Sequence, residues 1–232
     1  MKWRKKTGMS KKTLLLVVIP LLLFFLLAIC VTAGVTANFE GWAYSEAVEN
    51  MSPLMTTIVK SITHIGDSPV IITFCFILLT IPKSRKTIAM PVSLAVILSS
   101  LLNIALKHIF ARERPNIMRL INETSYSFPS GHAMINASLY TMLILLIFRF
   151  IKNKPLKITL SSVCMALVIV IGISRVYLGV HYAGDVIGGW LIGFALSFLV
   201  YFIWNGRIPT RRLKNSRQED RPVPDAKHFP KK

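Results

Sequence analysis

Three short groups of residues between positions 107 and 185 combine cations, histidines and a carboxylate at fixed spacings. They are Lys107-x6-Arg114-Pro115, Pro129-Ser130-Gly131-His132 and Ser174-Arg175-x5-His181-x3-Asp185. Lysine and arginine side chains can surround the oxygens of a phosphate, and an arginine can bind two of them at once. The three groups therefore predict an anion site that is served by histidine chemistry.

Five of these residues are predicted to bind the anion. Lys107, Arg114 and Arg175 supply positive charge. A helix is predicted to begin after Ser130, and the free backbone N–H groups of a helix N-terminus favour an anion. The Ser130 hydroxyl adds a donor, and Gly131 lets the backbone approach the anion closely.

The two histidines of these groups are predicted to carry out the reaction. His181 and Asp185 are four residues apart and would share one face of a helix if the sixth helix starts before His181. The carboxylate can keep one ring nitrogen protonated, which leaves the other as a nucleophile or base. His132 has no such partner within its own group, and we interpret it as the general acid for the leaving oxygen. His64, His108 and His228 are given no role.

Two other kinds of site use similar residues and fit less well. His132, His181 and Asp185 could ligate a metal, but three cations in the same site would repel a divalent ion, so we predict no metal and no cofactor. The net charge of +18 suggests a nucleic-acid partner. The basic residues, however, lie in short clusters between apolar blocks and form no basic stripe along one element, so we predict no nucleic-acid partner.

The elements that must position these groups are predicted to be membrane-spanning helices. Of the 232 residues, 53% are hydrophobic, and the mean hydropathy is +0.56, which is too apolar for a soluble domain of this length. Apolar blocks of about 17 to 25 residues match the hydrocarbon core of a bilayer. We predict an all-α bundle of six transmembrane helices. The spans are placed at 13–35, 68–82 with a start near Ile62, 87–110, 133–151, 158–178 and 185–204.

The distribution of lysine and arginine sets the predicted orientation. With the N-terminus inside, the basic residues left outside are Lys60, Lys107, Arg112, Arg114, Arg119 and Arg175 out of 28. By the positive-inside rule both termini are cytoplasmic. The third and fifth spans then end, and the fourth and sixth begin, on the extracytoplasmic face. All three groups of residues are therefore expected to converge there.

The remaining segments follow from this layout. We predict a basic cytoplasmic N-terminus at 1–12, a membrane domain at 13–205 and a basic, disordered cytoplasmic tail at 206–232. A cleaved signal peptide is the alternative for the first block, but its apolar stretch is longer than usual, so we expect it to be retained. Residues 38–67 are predicted to form an amphipathic interfacial segment, to which we assign no chemistry.

The three groups resemble the three-part signature of the type-2 phosphatidic acid phosphatase superfamily, and every signature residue is present in order. The six-span layout extends the resemblance across most of the chain and is similar to the bacterial plasma-membrane members. The resemblance implies a metal-independent lipid phosphate phosphatase. It implies that His181 forms a phosphohistidine, that Asp185 orients and charges it, and that His132 protonates the leaving alcohol and then activates water. The residues implied to stabilise the transition state are Lys107, Arg114, Ser130, Gly131 and Arg175.

The resemblance leaves the substrate open. We expect hydrolysis of phosphatidylglycerophosphate to phosphatidylglycerol, with undecaprenyl diphosphate as the alternative, because each joins a phosphate to an apolar tail. A non-catalytic lipid-phosphate binding protein is disfavoured by the intact acid, nucleophile and orienting carboxylate. A vanadate-dependent haloperoxidase is disfavoured by the six spans. The sequence predicts no oligomeric state.

Overall fold

The computed structural model describes residues 11–116 and 118–205, so the predictions for residues 1–10 and for the tail 206–232 lie outside the described residues. The fold is all-α, as predicted. A short π-helical turn, Arg85–Ala89, leads directly into the fifth α-helix. The described residues form eight α-helices: α1 Lys11–Thr32, α2 Ala37–Glu49, α3 Pro53–Ile65, α4 Ser68–Thr80, α5 Met90–Phe110, α6 Gly131–Phe150, α7 Lys154–Tyr177 and α8 Ala183–Asn205.

Among the described residues, five helices are long and apolar enough to cross a membrane: α1, α5 with its π-helical turn, α6, α7 and α8. The second predicted span differs from expectation. Helix α4 has 13 residues, and at 1.5 Å per residue it is about 20 Å long, too short for a bilayer core. Together α3 and α4 meet the requirement, as a pair bent by 41°. The sixth candidate span is therefore a bent pair and not one straight helix from Ile62.

The bend between α3 and α4 has a local cause. Pro69 stands in the first turn of α4, where its missing N–H is tolerated, but a helix continuing through it from α3 would clash with the carbonyl four residues earlier. Helix α3 ends at Ile65, and the N–H of the following Gly66 bonds back to Thr63 O at 2.9 Å. Asp67 then takes an extended conformation (φ −70°, ψ 146°) and precedes α4. The bend thus places Asp67 at a helix start.

Helix α6 lies at the centre of the bundle and packs against α5, α7 and α8, while α1 covers α8. The closest packing joins α6 to α8 through small residues. A Cβ on Gly193 would lie 2.5 Å from the carbonyl oxygen of Met134, and Ser197 Oγ donates to Ser138 O at 2.7 Å. Small residues commonly allow such close approach between membrane helices. The α6–α8 contact fixes the first turns of these two helices relative to each other.

The segment predicted as an amphipathic connector is a pair of helices, α2 and α3, that fold back against α7 and α8. Ser52 caps α3 by accepting a hydrogen bond from Met55 N at 3.2 Å. Trp42 on α2 is 60% exposed, as expected of an interfacial aromatic residue, whereas Glu40 on the same helix is buried. A buried carboxylate needs a partner, so α2 is more than a connector.

Candidate active site

The structure brings the three groups of residues together at one end of the bundle. Lys107 lies in the last turn of α5 and His132 in the first turn of α6. Arg175 lies in the last turn of α7, and Asp185 lies in the first turn of α8. Four helix ends therefore meet around one site.

Lys107, Arg114 and Arg175 form a compact group, called here the cation cluster, and all three are buried. Lys107 Nζ and Arg114 Nη2 each lie 3.0 Å from the same oxygen, Ser125 Oγ. Arg114 Nη2 lies 3.7 Å from Glu123 Oε2, and Arg175 contacts the other oxygen of Glu123 directly. The shared partners show that the three cations converge on one small volume.

Glu123 lies between two members of the cation cluster and was not anticipated from the sequence. Burial raises the pKa of this carboxyl, but Arg175 and Arg114 outweigh burial and hold its pKa below the ordinary value. Glu123 therefore stays ionised, with one carboxylate oxygen on each arginine. The general need of buried cations for a countercharge could have suggested an acid in the loop between α5 and α6.

The N-terminus of α6 supplies neutral donors beside this cluster. Ser130 is the N-cap, and its Oγ accepts from Ala133 N at 3.5 Å, which leaves the hydroxyl proton available to donate. The Phe128–Pro129 peptide is cis. A Cβ on Gly131 would lie 3.0 Å from Asn103 Oδ1, so a larger residue would crowd this turn. The first N–H groups of a helix have no intrahelical acceptor, so the turn can bind an anion.

The contacts of His181 define its tautomer. Its Nε2 lies 3.2 Å from Arg114 Nη1, and because a guanidinium can only donate, Nε2 must be the unprotonated acceptor. The proton is then on Nδ1, which lies 3.4 Å from Asp185 Oδ2. Burial lowers the pKa of His181 to about 4, although Asp185 opposes that shift. The imidazole is therefore neutral near pH 7, and its lone pair points toward the cation cluster.

Asp185 is completely buried and is held by several donors. It accepts from Tyr182 N at 2.9 Å, from Arg112 Nη1 at 2.6 Å and from the Ser127 hydroxyl. Arg112 also bonds Glu40, at 2.7 Å and 3.1 Å. Burial lowers the pKa of Arg112, but Glu40 and Asp185 together raise it above the ordinary value. Residues 38–67, to which no chemistry was assigned, thus contribute Glu40 to this charge network.

His132 also has a carboxylate partner, which comes from outside its own group of residues. His132 Nε2 lies 2.8 Å from Asp67 Oδ1, and the other oxygen of Asp67 lies 2.7 Å from His64 Nδ1. Asp67 comes from the bend between α3 and α4, 65 residues before His132. No spacing within the sequence groups points to it. His64, which was given no role, is thus in contact with the site through Asp67.

The site geometry can be set beside known proteins. The profile of the PAP2 superfamily matches residues 88–209, which is more than half of the chain. The chain belongs to the PAP2 superfamily. The matched region contains all three groups of residues, and the resemblance inferred from them is thereby confirmed.

Two relatives each align with more than half of this chain. Phosphatidylglycerophosphatase B of Bacillus subtilis (strain 168) is 34% identical over 189 residues, covering 78% of this chain and 92% of that protein. Undecaprenyl-diphosphatase of Sulfolobus acidocaldarius is 33% identical over 128 residues, covering 53% of this chain and 58% of that protein.

The fold also matches solved PAP2 structures. The crystal structure of a transmembrane PAP2-type phosphatidylglycerolphosphate phosphatase from Bacillus subtilis has a TM-score of 0.73 at 29% identity. The match covers 84% of this chain and 98% of that one. The structure of Aquifex aeolicus LpxE has a TM-score of 0.58 at 25% identity, covering 68% and 92%. This PAP2 protein is therefore a phosphatase built as an all-helical membrane bundle.

Proposed function

We propose that this PAP2 phosphatase removes the terminal phosphate from a lipid phosphate through a phosphohistidine intermediate. The observation that carries the proposal is the orientation of His181. Its unprotonated Nε2 faces the buried cation cluster, while its Nδ1–H is backed by Asp185. A neutral, oriented imidazole beside a set of cations suits attack on a phosphorus atom.

In the first step, the substrate phosphate displaces Glu123 and is bound by the cation cluster and the N-terminus of α6. His181 Nε2 attacks phosphorus, a P–N bond forms and the P–O bond to the alcohol breaks. His132 gives its proton to the departing oxygen. Positive charge develops on the His181 ring, and Asp185 stabilises it. The three cations stabilise the negative charge on the equatorial oxygens of the transition state.

In the second step, His132, now neutral, takes a proton from a water molecule. The resulting hydroxide attacks phosphorus from the side that the alcohol has left, and the P–N bond breaks. Inorganic phosphate departs, and His181 returns to its neutral form. His132 has regained the proton that it gave away, so the cycle needs no metal and no further co-reactant.

Two cavities border the elements that carry the site and suit an amphiphilic substrate. One, of about 550 Å³, lies between α2, α7 and α8, and apolar side chains such as Trp42, Val176 and Ile187 line most of it. The other, of about 420 Å³, is polar and is lined by Arg119 and Tyr126 among others. An acyl tail fits the chemistry of the first cavity and a charged headgroup that of the second.

Phosphatidylglycerophosphate is the proposed substrate, because the Bacillus subtilis relative that aligns over most of the chain is a phosphatidylglycerophosphatase. Undecaprenyl diphosphate is the second candidate and is favoured by the Sulfolobus acidocaldarius relative, which is an undecaprenyl-diphosphatase. The distribution of Lys and Arg supports cytoplasmic termini and a site on the extracytoplasmic face of the bacterial plasma membrane.

The test is phosphate release by the purified protein in mixed micelles. Phosphatidylglycerophosphate, phosphatidate, diacylglycerol pyrophosphate and undecaprenyl diphosphate are compared by kcat/KM, with the first expected to be highest. His181→Ala should lose at least about 10⁴-fold in kcat, because the nucleophile is gone. His108→Ala, an exposed histidine of α5, is the matched control and should retain full activity. Phosphate release by His181→Ala at the wild-type rate would refute the phosphohistidine mechanism.

A further inference from the structure

We propose that Asp67 is the positioning residue for the general acid: it fixes the tautomer of His132 and supplies the countercharge for its protonated form. This inference rests on the proposed function, in which His132 alternates between acid and base. The bend between α3 and α4 would then be a part of the catalytic machinery and not merely an irregularity in a membrane span.

The carboxylate is held in place from both sides. Its two oxygens lie 2.7 Å from His64 Nδ1 and 2.8 Å from His132 Nε2. The backbone just before it is also fixed, because Asn136 Nδ2 donates to Gly66 O at 3.1 Å. Asn136 lies one turn after His132 on α6 and bonds the carbonyl of His132 at 2.9 Å. One amide side chain therefore ties the bend to the helix that carries the general acid.

The approach of the bend to α6 and α7 is very close. A Cβ on Gly66 would lie 2.7 Å from Asn136 Nδ2 and 2.8 Å from Ile171 Cγ2. Three residues before Gly66, Thr63 Oγ1 accepts a hydrogen bond from Arg175 Nη1 at 3.1 Å. Arg175 belongs to the cation cluster, so the end of α3 contacts both the phosphate-binding side and the acid side of the site.

The hydrogen bond to Asp67 decides which nitrogen of His132 takes part in the reaction. An ionised carboxylate can only accept, so Nε2 must carry a proton. Nδ1 is then the nitrogen that donates to the leaving oxygen and later accepts a proton from water. A tautomer fixed by a second hydrogen bond is a recurrent feature of histidines that act on substrates. Without Asp67, either nitrogen could hold the proton and the productive form would be less populated.

The charges around His132 give Asp67 a second task. Arg175, on α7, belongs to the cation cluster, and the carboxylate in contact with the His132 ring is that of Asp67. His64, on α3, shares the Asp67 carboxylate. When a phosphate displaces Glu123, Asp67 remains as the protein carboxylate in contact with the imidazolium. The pair is partly open to solvent, with side chains 20% and 33% exposed, and exposed ion pairs contribute little to folding. Its main effect should therefore be on the reaction.

The experiment compares Asp67→Asn with wild-type protein on two substrates, phosphatidylglycerophosphate and p-nitrophenyl phosphate. An alkoxide leaving group needs an acid, so with the lipid kcat should fall about 30-fold while KM changes less than about threefold. Nitrophenolate leaves without a proton. Its release in the first turnover should stay near the wild-type rate, and a burst followed by slow turnover should appear, because the second step still needs His132 as a base.

Asp67→Glu keeps the charge on a longer arm and should recover part of the lost kcat. Glu49→Gln, which neutralises an exposed acid of α2, is the matched control and should match the wild type. The inference would be overturned if Asp67→Asn had the kcat of the wild type on the lipid. It would also be overturned if the burst rate and the steady-state rate with p-nitrophenyl phosphate fell by the same factor. If Asp67→Asn does not fold, Asp67→Glu serves as the test instead. A kcat equal to that of the wild type with either substrate would then contradict the positioning of His132 by Asp67.

Failure of the inference can be told apart from failure of the proposed function. Wild-type protein that forms no acid-labile phosphoenzyme, or His181→Ala protein that stays active, would refute the proposed function. The role of Asp67 alone would be refuted if the wild type forms the phosphoenzyme and His181→Ala is inactive, but Asp67→Asn is fully active.

Discussion

The two histidines of the site are both paired with a carboxylate, yet their surroundings differ sharply. The side chains of His181 and Asp185 are 2% and 0% exposed, whereas those of His132 and Asp67 are 20% and 33% exposed. In the proposed mechanism the nucleophile must stay neutral and aligned with phosphorus, and enclosure serves both needs. The proposed acid–base group must exchange a proton with an alcohol and with water, which suits its greater exposure. On this proposal the site divides into a closed nucleophilic side and a more open acid–base side.

The two carboxylates also have different origins. Asp185 lies in the first turn of α8, four residues after His181, which stands just before that helix. Further donors from the backbone, Ser127 and Arg112 hold Asp185. Asp67 comes from a distant bend and has two histidines as partners. Removing the first carboxylate should therefore disturb more contacts than removing the second.

Asp185→Asn should have the largest effect of the changes that test this comparison. The amide cannot stabilise the charge that develops on His181, and it can present its NH₂ group to the ring and favour the wrong tautomer. We expect kcat on phosphatidylglycerophosphate to fall about 10³-fold or more, well beyond the loss expected for Asp67→Asn. Steady-state kinetics of both variants, with thermal unfolding to confirm folding, measures the difference. A smaller loss for Asp185→Asn than for Asp67→Asn would reverse the assignment of the two sides.

The pairing of His181 with Asp185 could be predicted from their spacing of four residues, which is a local property of the sequence. The shared helix face was wrong, because α8 begins at Ala183 and His181 lies just before it, yet His181 Nδ1 still lies 3.4 Å from Asp185 Oδ2. Charge counting directed the ends of four spans to one region. The structure brings Lys107, Arg114 and Arg175 together there. The all-α membrane fold was likewise accessible from apolar block lengths.

The acid–base side could not be predicted, because its contacts depend on tertiary packing. Asp67 reaches His132 because the bend at Gly66 lies against Asn136 of α6 and Ile171 of α7. No periodicity in residues 38–67 encodes that approach. The role of Glu40 could not be predicted either, because in the sequence it is one of several polar residues of an amphipathic helix. A buried, paired acid on an otherwise exposed helix becomes visible only when its partner, here Arg112, is placed beside it.

The titration of His181 should sharpen the contrast between the two sides. Burial lowers its pKa from the ordinary 6.5 to about 4, so the neutral nucleophile is lost only as the pH falls through about 4. The folded protein then binds fewer protons at this residue than the unfolded chain does between pH 4 and 6.5. The stability that this residue contributes should therefore decline as the pH falls across that window.

Imidazole NMR of the detergent-solubilised protein measures this pKa directly. The His181 signal is identified as the one that disappears in His181→Gln, and it should titrate with a midpoint near 4. A midpoint close to 6.5 would mean that solvent reaches the ring, and the description of a closed nucleophilic side would be wrong.

Glu40→Gln should have the smallest effect, because it acts on His181 through two intermediate residues. Glu40 shares the charge of Arg112 with Asp185. Once Glu40 is neutral, more of the Arg112 charge acts on Asp185, and that carboxylate stabilises the His181 cation less. We expect kcat to fall about tenfold with KM nearly unchanged.

A double-mutant cycle with Arg112→Gln separates this electrostatic role from simple loss of packing. Arg112→Gln alone leaves Glu40 buried without its cation, which costs stability. The double variant removes both charges together, so its loss of thermal stability should be smaller than the sum of the two single losses. Its kcat should also exceed that of Glu40→Gln, because no uncompensated positive charge faces Asp185. Additive losses in both thermal stability and kcat would show that Glu40 and Arg112 act independently. Glu40 would then have no influence on Asp185 through Arg112.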